Sequence, residues 1–496
     1  MYFFTQFPFA NTLMRVFPDA QFAYRPLLLM VAILFSCTIS VQAQDGAQVY
    51  QTYCAGCHGA QLQGGSATTL IKTDWIYGRG KGALVRNVKF GIPNTEMAAW
   101  HTVLTDEQIG VVADFIIEAQ DTPPTAERPI PEELKTEVYT LKVEEVITEG
   151  LQTPWGMAFA DEHRALITER PGKIRWMVDN KLDPQPIQGV PPTYESKTGG
   201  YMDIILDPDY ATNGWVYLAY SHTDGDVHDD QAEAMTKIVR GKINDHQWTN
   251  QETLFEVPDS LLVVGGNRWG CRFLFDDEGY LYFSIGDMAQ ANASQNPGAA
   301  TGKTFRINSD GSIPEDNPFA DEPGALAAIY TLGNRNVQGI TQHPETGDIW
   351  ATEHGPMGGD ELNILKKGAN YGWPVITYGV DYSGEIVSEK TQQSGMEQPI
   401  TYWTPSIAVC PAMFVSSPLF AQWENNLLVG ALAFEELRRL VIETDQVTRQ
   451  EMILKGVGRV RDITFAPDGA LYVILNQPDK VLRITPEGKP LQKQSQ

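Results

Sequence analysis

Arg272-Phe273-Leu274-Phe275, a polar turn through Asp276-Asp277-Glu278-Gly279, and Tyr280-Leu281-Tyr282-Phe283-Ser284 form the unit that decides the fold. Apolar and aromatic runs on both sides of an Asp/Gly turn read as a β-hairpin. The unit recurs upstream as Gly156-Met157-Ala158-Phe159 with Ala165-Leu166-Ile167-Thr168, and as Met202–Leu206 with Trp215–Tyr220. It recurs downstream as Val337–Ile340 with Asp348–Thr352, Ala412–Val415 with Leu427–Gly430, and Asp462–Phe465 with Ala470–Ile474. Six such pairs, at intervals of roughly 45–80 residues, point to radial repetition with four strands to a blade. The expected fold is an all-β six-bladed β-propeller over residues 138–490. An irregular β-sandwich is the alternative. It does not call for so many equivalent hairpins, and a propeller removes long exposed edges.

Composition agrees. The chain has 496 residues, enough for two to four domains at roughly 100–200 residues each. Its 44 Gly, 31 Pro, 11 Trp, 19 Tyr and 20 Phe suit short strands and tight turns better than a helical bundle. A net charge of −25 argues against nucleic-acid binding. Five cysteines are too few for a disulfide scaffold, so each needs its own account.

Upstream of the repeats, Asp121 to Pro131 carries four prolines and reads as an extended Pro-rich linker, placed at 122–137. Before it stands Cys54-Ala55-Gly56-Cys57-His58. Two thiols three apart on a helical turn reach the two vinyl groups of one haem, and the adjacent His58 points its imidazole at the iron. A redox or zinc C-x-x-C is the alternative, but zinc needs a second ligand pair and none follows. Met97 is the expected opposite axial ligand, with His101 as competitor; methionine ligation raises the haem potential. Thr105 followed by Asp106-Glu107-Gln108 marks a helix start, continuing to Ala119. In length and motif order residues 45–120 resemble a small all-α class I cytochrome c with covalent haem c, and the domain is set at 44–121. Five basic residues nearly balance seven acidic ones there, so most of the negative charge falls on the propeller.

Leu27 to Phe35 is an apolar run without charge, preceded by Arg15 and Arg25 and followed by Val41-Gln42-Ala43. This reads as a secretory signal peptide, residues 1–43, cut after Ala43, which implies export to the periplasm. The run is short for a retained anchor. A lipoprotein site at Leu34-Phe35-Ser36-Cys37 fits poorly because of the Phe. No other segment could span a membrane.

Thr153-Pro154-Trp155-Gly156-Met157-Ala158-Phe159 and Thr168-Glu169-Arg170-Pro171-Gly172 resemble the opening of the soluble quinoprotein glucose/sorbosone dehydrogenases, also called aldose sugar dehydrogenases. The resemblance continues through Gly333-Asn334-Arg335-Asn336-Val337-Gln338-Gly339, Glu353-His354-Gly355-Pro356-Met357-Gly358-Gly359-Asp360-Glu361-Leu362-Asn363, Asn370–Pro374 and Gly458–Asp462. It covers about Leu141 to Pro486. It implies a propeller that binds pyrroloquinoline quinone and calcium on its axis and oxidises a sugar-like substrate. Electrons would then pass to the chain's own haem and on to a downstream respiratory acceptor. A planar tricarboxylate needs guanidinium forks. Arg459 and Arg461, two apart on a strand, face the same way and match the family's carboxylate-binding pair. The alternative for them is ordinary surface ion pairing. Arg335 and Asn336 match the residues beside the quinone. The carbonyls of Gly355 and Pro356 match ligands of a bridging calcium, and Glu361 with the Tyr371 carbonyl matches a second, structural calcium.

The sequence departs from that family at one telling place. The family's general base is a histidine just upstream of a Gly-x-Arg element. Here Gly265-Gly266-Asn267-Arg268-Trp269-Gly270-Cys271-Arg272 puts Arg268 in its position. Asn267 stands for the preceding acid or histidine, and Thr198 for a glutamine near the quinone. Arginine is no base near neutral pH, its pKa lying above about 12. Three readings stay open: another base such as Asp287 or His354, an anionic substrate clamped by Arg268, or a propeller that binds carbohydrate or quinone without chemistry. Cys271 and Cys410 read equally as a disulfide or as two buried small apolar groups. Tyr402 and Trp403 read as mouth-lining residues or as packing.

Overall fold

Sequential strands that end in tight turns pair with their neighbours, and this local pairing builds most of the molecule. The computed structural model describes residues 46–58, 62, 70, 78, 80–92, 97, 99–119, 129–195, 197–229, 231–264, 266–381, 385–404 and 406–488. The expected signal segment 1–43, Cys37, Pro123 and Pro124 lie outside the described residues, and so does the side chain of Cys57.

The N-terminal helices are α1 (Gly46–Tyr53), α2 (Ala55–His58), α3 (Gly80–Phe90) and α4 (Asp106–Glu118). The predicted start of α4 is a capping box: the Thr105 hydroxyl accepts the Gln108 N–H at 3.2 Å, and the Gln108 side chain accepts the Thr105 N–H at 2.9 Å. Such a cap contributes about 1 kcal/mol, and Asp106 and Glu107 in the first turn add a favourable charge–dipole term. A Cβ on Gly46 would lie 2.2 Å from the Val111 carbonyl oxygen, so α1 and α4 come together only over a glycine. Tyr50 meets Phe115 at 5.4 Å. The core between the helices holds Val49, Tyr50, Leu84, Ile109, Val112 and Ile116.

Strands β1 (Glu133–Lys135) and β2 (Thr140–Ile147) precede six blades. Blade 1 is β3 (Pro154–Phe159), β4 (Arg164–Glu169), β5 (Lys173–Val178) and β6 (Lys181–Pro186). Blade 2 is β7 (Tyr201–Leu206), β8 (Trp215–His222), β9 (Glu233–Asn244) and β10 (Gln247–Phe255), with β11 (Val263–Val264) beside β9. Blade 3 is β12 (Leu274–Phe275), β13 (Tyr280–Ile285), β14 (Lys303–Asn308) and β15 (Ile329–Thr331). Blade 4 is β16 (Val337–Gln342), β17 (Ile349–Glu353), β18 (Asp360–Leu365) and β19 (Thr401–Trp403). Blade 5 is β20 (Val409–Phe414), β21 (Leu427–Ala431), β22 (Glu436–Glu443) and β23 (Gln446–Lys455). Blade 6 is β24 (Arg459–Phe465), β25 (Leu471–Asn476) and β26 (Lys480–Glu487).

The ring is closed by β2, which pairs antiparallel with β26 from Thr140 opposite Glu487 to Ile147 opposite Val481. The stretch expected as linker, 122–137, thus contains a strand: β1 pairs with β2, with Glu133 opposite Lys142 and Lys135 opposite Thr140. Aromatic rings fill the wedges between blades. Phe255 of blade 2 lies 5.0 Å from both Phe283 and Phe305 of blade 3, contacts that add to the area they bury. The innermost strands start at one end of the axis, and that end carries the site.

Candidate active site

One guanidinium ties the axis together. Arg272, just before β12, donates through Nη1 to Asp203 of β7 at 3.2 Å and to Asp462 of β24 at 2.6 Å. Its Nε donates to the Gln338 carbonyl and its Nη2 to the Arg461 carbonyl, both at 3.1 Å. Trp155 of β3 stacks beneath it at 4.5 Å. Burial pushes the Asp203 carboxyl up, and pushes Asp462 up to about 7, against the pull of Arg272. Beyond this hub, a cavity of about 410 Å³ occupies the other end of the axis, walled by Met157, Leu206, Phe273, Met413 and Phe465. Its charged groups are those of the hub, Asp203, Arg272 and Asp462, and both carboxylates are paired with the guanidinium, so the chemistry belongs to the opposite end.

There, guanidiniums from two blades converge. Arg461 donates to Asn476 Oδ1 and Gln338 Oε1, each at 3.2 Å, and its guanidinium lies 5.4 Å from the Trp155 ring. Arg459 has neither hydrogen bond nor ion pair with a described residue, and burial lowers its pKa. Arg335 donates through Nη1 to the carbonyls of His354 at 3.0 Å and Gly355 at 2.6 Å, and stacks 5.2 Å from Trp373. The Oδ1 of Asn336 accepts the Gly270 N–H at 3.1 Å, and its Nδ2 lies 3.4 Å from His354 Nδ1. Burial first, and then Arg335, Arg461 and Arg459, push His354 down to about 3, so its imidazole is neutral. Its Nε2 is buried and unpartnered among the described residues.

Arg268 stands on the far side, before blade 3. Its backbone is left-handed, with φ at 71°. The Arg268 N–H donates to Thr198 Oγ1 at 3.3 Å, and a Cβ on Gly286 would lie 1.9 Å from the Arg268 carbonyl oxygen. Nε donates to Asp287 Oδ1 at 2.6 Å. Asp287 is fully buried; its Oδ2 takes the Trp373 indole N–H at 2.8 Å, and its own N–H donates to the Arg335 carbonyl at 2.7 Å. Both proposed substitute bases are therefore enclosed: Asp287 by its partners, His354 by burial of Nε2. Behind them, the fully buried Lys303 donates to the carbonyls of Ala293 and Thr301 at 2.9 Å and of Ser294 at 3.3 Å. Burial lowers its pKa to about 7. From the same loop, Gln295 holds the Trp373 carbonyl at 2.8 Å.

A second cluster is acidic. Glu353 of β17 and Glu361 of β18 are register partners. Burial pushes Glu353 up to about 7; burial together with Glu353 and Asp360 pushes Glu361 up to about 8. Neither has an ion pair among the described residues. Like charges directly opposite on neighbouring strands are unfavourable. The Tyr371 carbonyl, on the same small cleft, accepts no hydrogen bond from a described residue. Asp360 shapes the adjacent loop by accepting the Gly355 N–H at 2.9 Å and the Ser406 hydroxyl at 2.6 Å. The Pro356 carbonyl accepts the Gly358 N–H at 3.0 Å. Among the described residues, no group of three or more His, Cys, Asp or Glu gathers as a metal cluster.

In the N-terminal domain, Cys54 is buried and the His58 N–H donates to the Cys54 carbonyl at 3.0 Å, placing the two one helical turn apart. Met97 packs on the same core, whereas His101 is exposed with Nδ1 3.0 Å from the Lys89 carbonyl. Cys271 and Cys410 are free thiols. Cys271 lies in an apolar core, which raises its pKa; Cys410 Sγ sits 3.6 Å from Arg461 Nη1. Trp403 is buried and bonds Gln450 at 3.2 Å, so it is packing; Tyr402 is 48% exposed and stacks on Tyr378 at 4.0 Å. The roles of Trp373 and Lys303, and the pairing of Asp287 with Arg268, leave no mark in the local sequence. These depend on side chains meeting across blades.

A ring of six blades with a cationic axial site, joined to a helical domain carrying C-x-x-C-H, defines a propeller oxidoreductase with a cytochrome c-type domain. The pattern described as "Glucose / Sorbosone dehydrogenase" matches residues 151–483, and the chain belongs to that family. Residues 41–116 match "Cytochrome C oxidase, cbb3-type, subunit III". The chain is 38% identical to the aldose sugar dehydrogenase YliI of Escherichia coli over 350 residues, 69% of this chain and 92% of that protein. It is 25% identical to quinoprotein glucose dehydrogenase B of Acinetobacter calcoaceticus, over 68% of this chain and 86% of that one. The apo structure of the soluble aldose sugar dehydrogenase of Escherichia coli superposes with a TM-score of 0.64 at 34% identity, covering 70% of this chain and 100% of that one. Among the described residues no helix is long and apolar enough to cross a membrane.

Proposed function

We propose that the protein is an exported, periplasmic quinohaemoprotein dehydrogenase. It oxidises an aldose, a sorbosone-like aldehyde or a sugar acid on the propeller and delivers the electrons to its own haem c. A downstream respiratory acceptor takes them from there. One observation carries this reading: Arg459 is desolvated without a partner beside Arg461, and both lie across the axis from Arg268. A partly desolvated guanidinium with unused donors is a site prepared for an anion.

The residues fit the implied groups. Arg459 and Arg461 would hold carboxylates of pyrroloquinoline quinone, with Arg335 and Asn336 beside its ring. When bound, the quinone supplies a two-electron acceptor. The carbonyls of Gly355 and Pro356 are hard oxygen donors for one calcium, and the mutually repelling Glu353 and Glu361, with the Tyr371 carbonyl, ask for a second cation. Cys54 and Cys57 would carry the haem thioethers, with His58 and Met97 on the iron. Trp155 and Trp373 hold the guanidiniums at fixed tilt and exclude water.

The test is to add quinone and calcium to full-length, haem-loaded protein and follow haem absorbance with a panel of aldoses, sorbosone and sugar acids. Reduction of the haem by at least one sugar is expected, and absence of quinone binding retires the proposal. Arg268 favours a second reading, a propeller that binds sugar or quinone without chemistry. It predicts quinone binding with no haem reduction by any sugar.

A further inference from the structure

We propose that Arg268 is a carboxylate clamp, and that the site takes an anionic sugar, a uronate or aldonate, in preference to a neutral aldose. This rests on the reading that the propeller acts on a sugar-like substrate, and it names the class.

Arg268 is fixed at both ends of its charge. Its backbone is pinned by Thr198 and by the close approach of Gly286. Its Nε is committed to Asp287, and Asp287 is locked in turn by Trp373 and by its own backbone N–H. Only Nε is used. The two terminal nitrogens have no partner among the described residues, and the side chain keeps 23% of its surface exposed. A guanidinium anchored through Nε with both terminal N–H pairs free is a preorganised fork, and a planar carboxylate is the group that matches it bidentately.

Charge on the other side agrees. Blades 3 and 6 lie three positions apart in a ring of six, so Arg268 faces Arg459 and Arg461 across the axis. Asp287, the carboxylate beside the fork, is spent on Arg268 and Trp373, and Asp360 is spent on Gly355, Ser406 and Val409. A ligand arriving here meets donors and few acceptors. A sugar hydroxyl uses both kinds of partner; a carboxylate only accepts. If a cofactor's carboxylates occupy the blade 6 pair, the fork on blade 3 is left for the substrate.

The test uses full-length, haem-loaded protein with quinone and calcium. Sodium glucuronate and glucose are titrated separately, read by calorimetry and by tryptophan fluorescence. Glucuronate should bind at least roughly tenfold more tightly than glucose, with an advantage that shrinks as salt is raised. Arg268→Ala should cut the glucuronate-to-glucose ratio about ten- to a hundredfold, the range of one charge-assisted bidentate contact. Arg268→Lys, which keeps the charge and the fold but not the fork, should cut it less. Glucuronate binding no tighter than glucose, or a ratio unchanged in Arg268→Ala, overturns the clamp. Failure of the proposed function looks different: a glucuronate preference that depends on Arg268, with no haem reduction by any sugar.

Discussion

Replacing Arg272 by Met tests whether the axis is held by charge. Methionine keeps length and apolar bulk and deletes the guanidinium. Asp203 and Asp462, 95% and 92% or more out of water, are then left without a counter-charge. Removing one partner of a buried pair costs about 3–5 kcal/mol. The orphaned carbonyls of Gln338 and Arg461 add about 1 kcal/mol, for a total of about 4–6. At roughly 2 °C per kcal/mol for a domain of this size, the propeller should melt about 8–12 °C lower. The sign of the pH dependence follows. In the variant both carboxyls rise above their unfolded values, and Asp462 already stands at about 7 beside Arg272. An acid whose folded pKa is raised contributes stability present at low pH and lost as pH rises through the folded value. The deficit should therefore be smaller at pH 5 than at pH 8. Thermal unfolding of the full chain by near-ultraviolet circular dichroism at both pH values measures it. The triple variant D203N/R272M/D462N should recover at least half of the loss and most of the pH dependence should vanish. Equal deficits at pH 5 and pH 8, or a triple variant no more stable than R272M, would refute the reasoning.

Arg459→Ala should weaken quinone binding by about ten- to a hundredfold in a fluorescence titration while leaving the melting temperature nearly unchanged, because this guanidinium has no hydrogen bond or ion pair among the described residues to lose. Calcium should raise the melting temperature far more at pH 9 than at pH 6, since Glu353 and Glu361 at about 7 and 8 make the cation-free protein lose stability as pH rises through that window; Glu361→Gln should abolish most of the difference. Lys303→Ala leaves three carbonyl oxygens around a void, so ammonium chloride should raise the melting temperature of this variant and not that of the wild type. Met97→His should lower the haem potential in a redox titration, as bis-histidine ligation does relative to His/Met.

Hairpin periodicity was enough to place each of the six innermost strands, because every blade repeats the same local pairing. The start of α4 was equally plain, since Thr105 and Gln108 carry the cap within four residues. Closure was not legible. β2 pairs with a strand more than three hundred residues away and β1 pairs with β2, while Pro129 and Pro131 just before them read as a linker. The site divides the same way. Arg335, Asn336, Arg459 and Arg461 follow from local motifs, and the structure gathers them at one end of the axis. The anchoring of Arg268 by Asp287, 19 residues on, and the link from Asp287 to Trp373, 86 residues on, have no local signature. Nor could spacing settle the thiols: Cys271 and Cys410 point into different surroundings, one apolar and one cationic.

The strand that closes the ring has a consequence for how such a chain is assembled and cut. Blade 6 takes β24, β25 and β26 from the end of the propeller and β2 from its beginning, so both termini of the propeller emerge from one seam. Anything joined ahead of Glu133 is tied to the ring at that seam, and no loop need be threaded to accommodate it. A protease cut ahead of Glu133 would sever the covalent link to the helical domain and leave a sealed wheel. A cut between Ile147 and Pro154 would leave the seam held only by noncovalent pairing, like a zip without its stop. Architecture of this kind lets one closed propeller be joined to different companion domains by exchanging what is tied to a single strand.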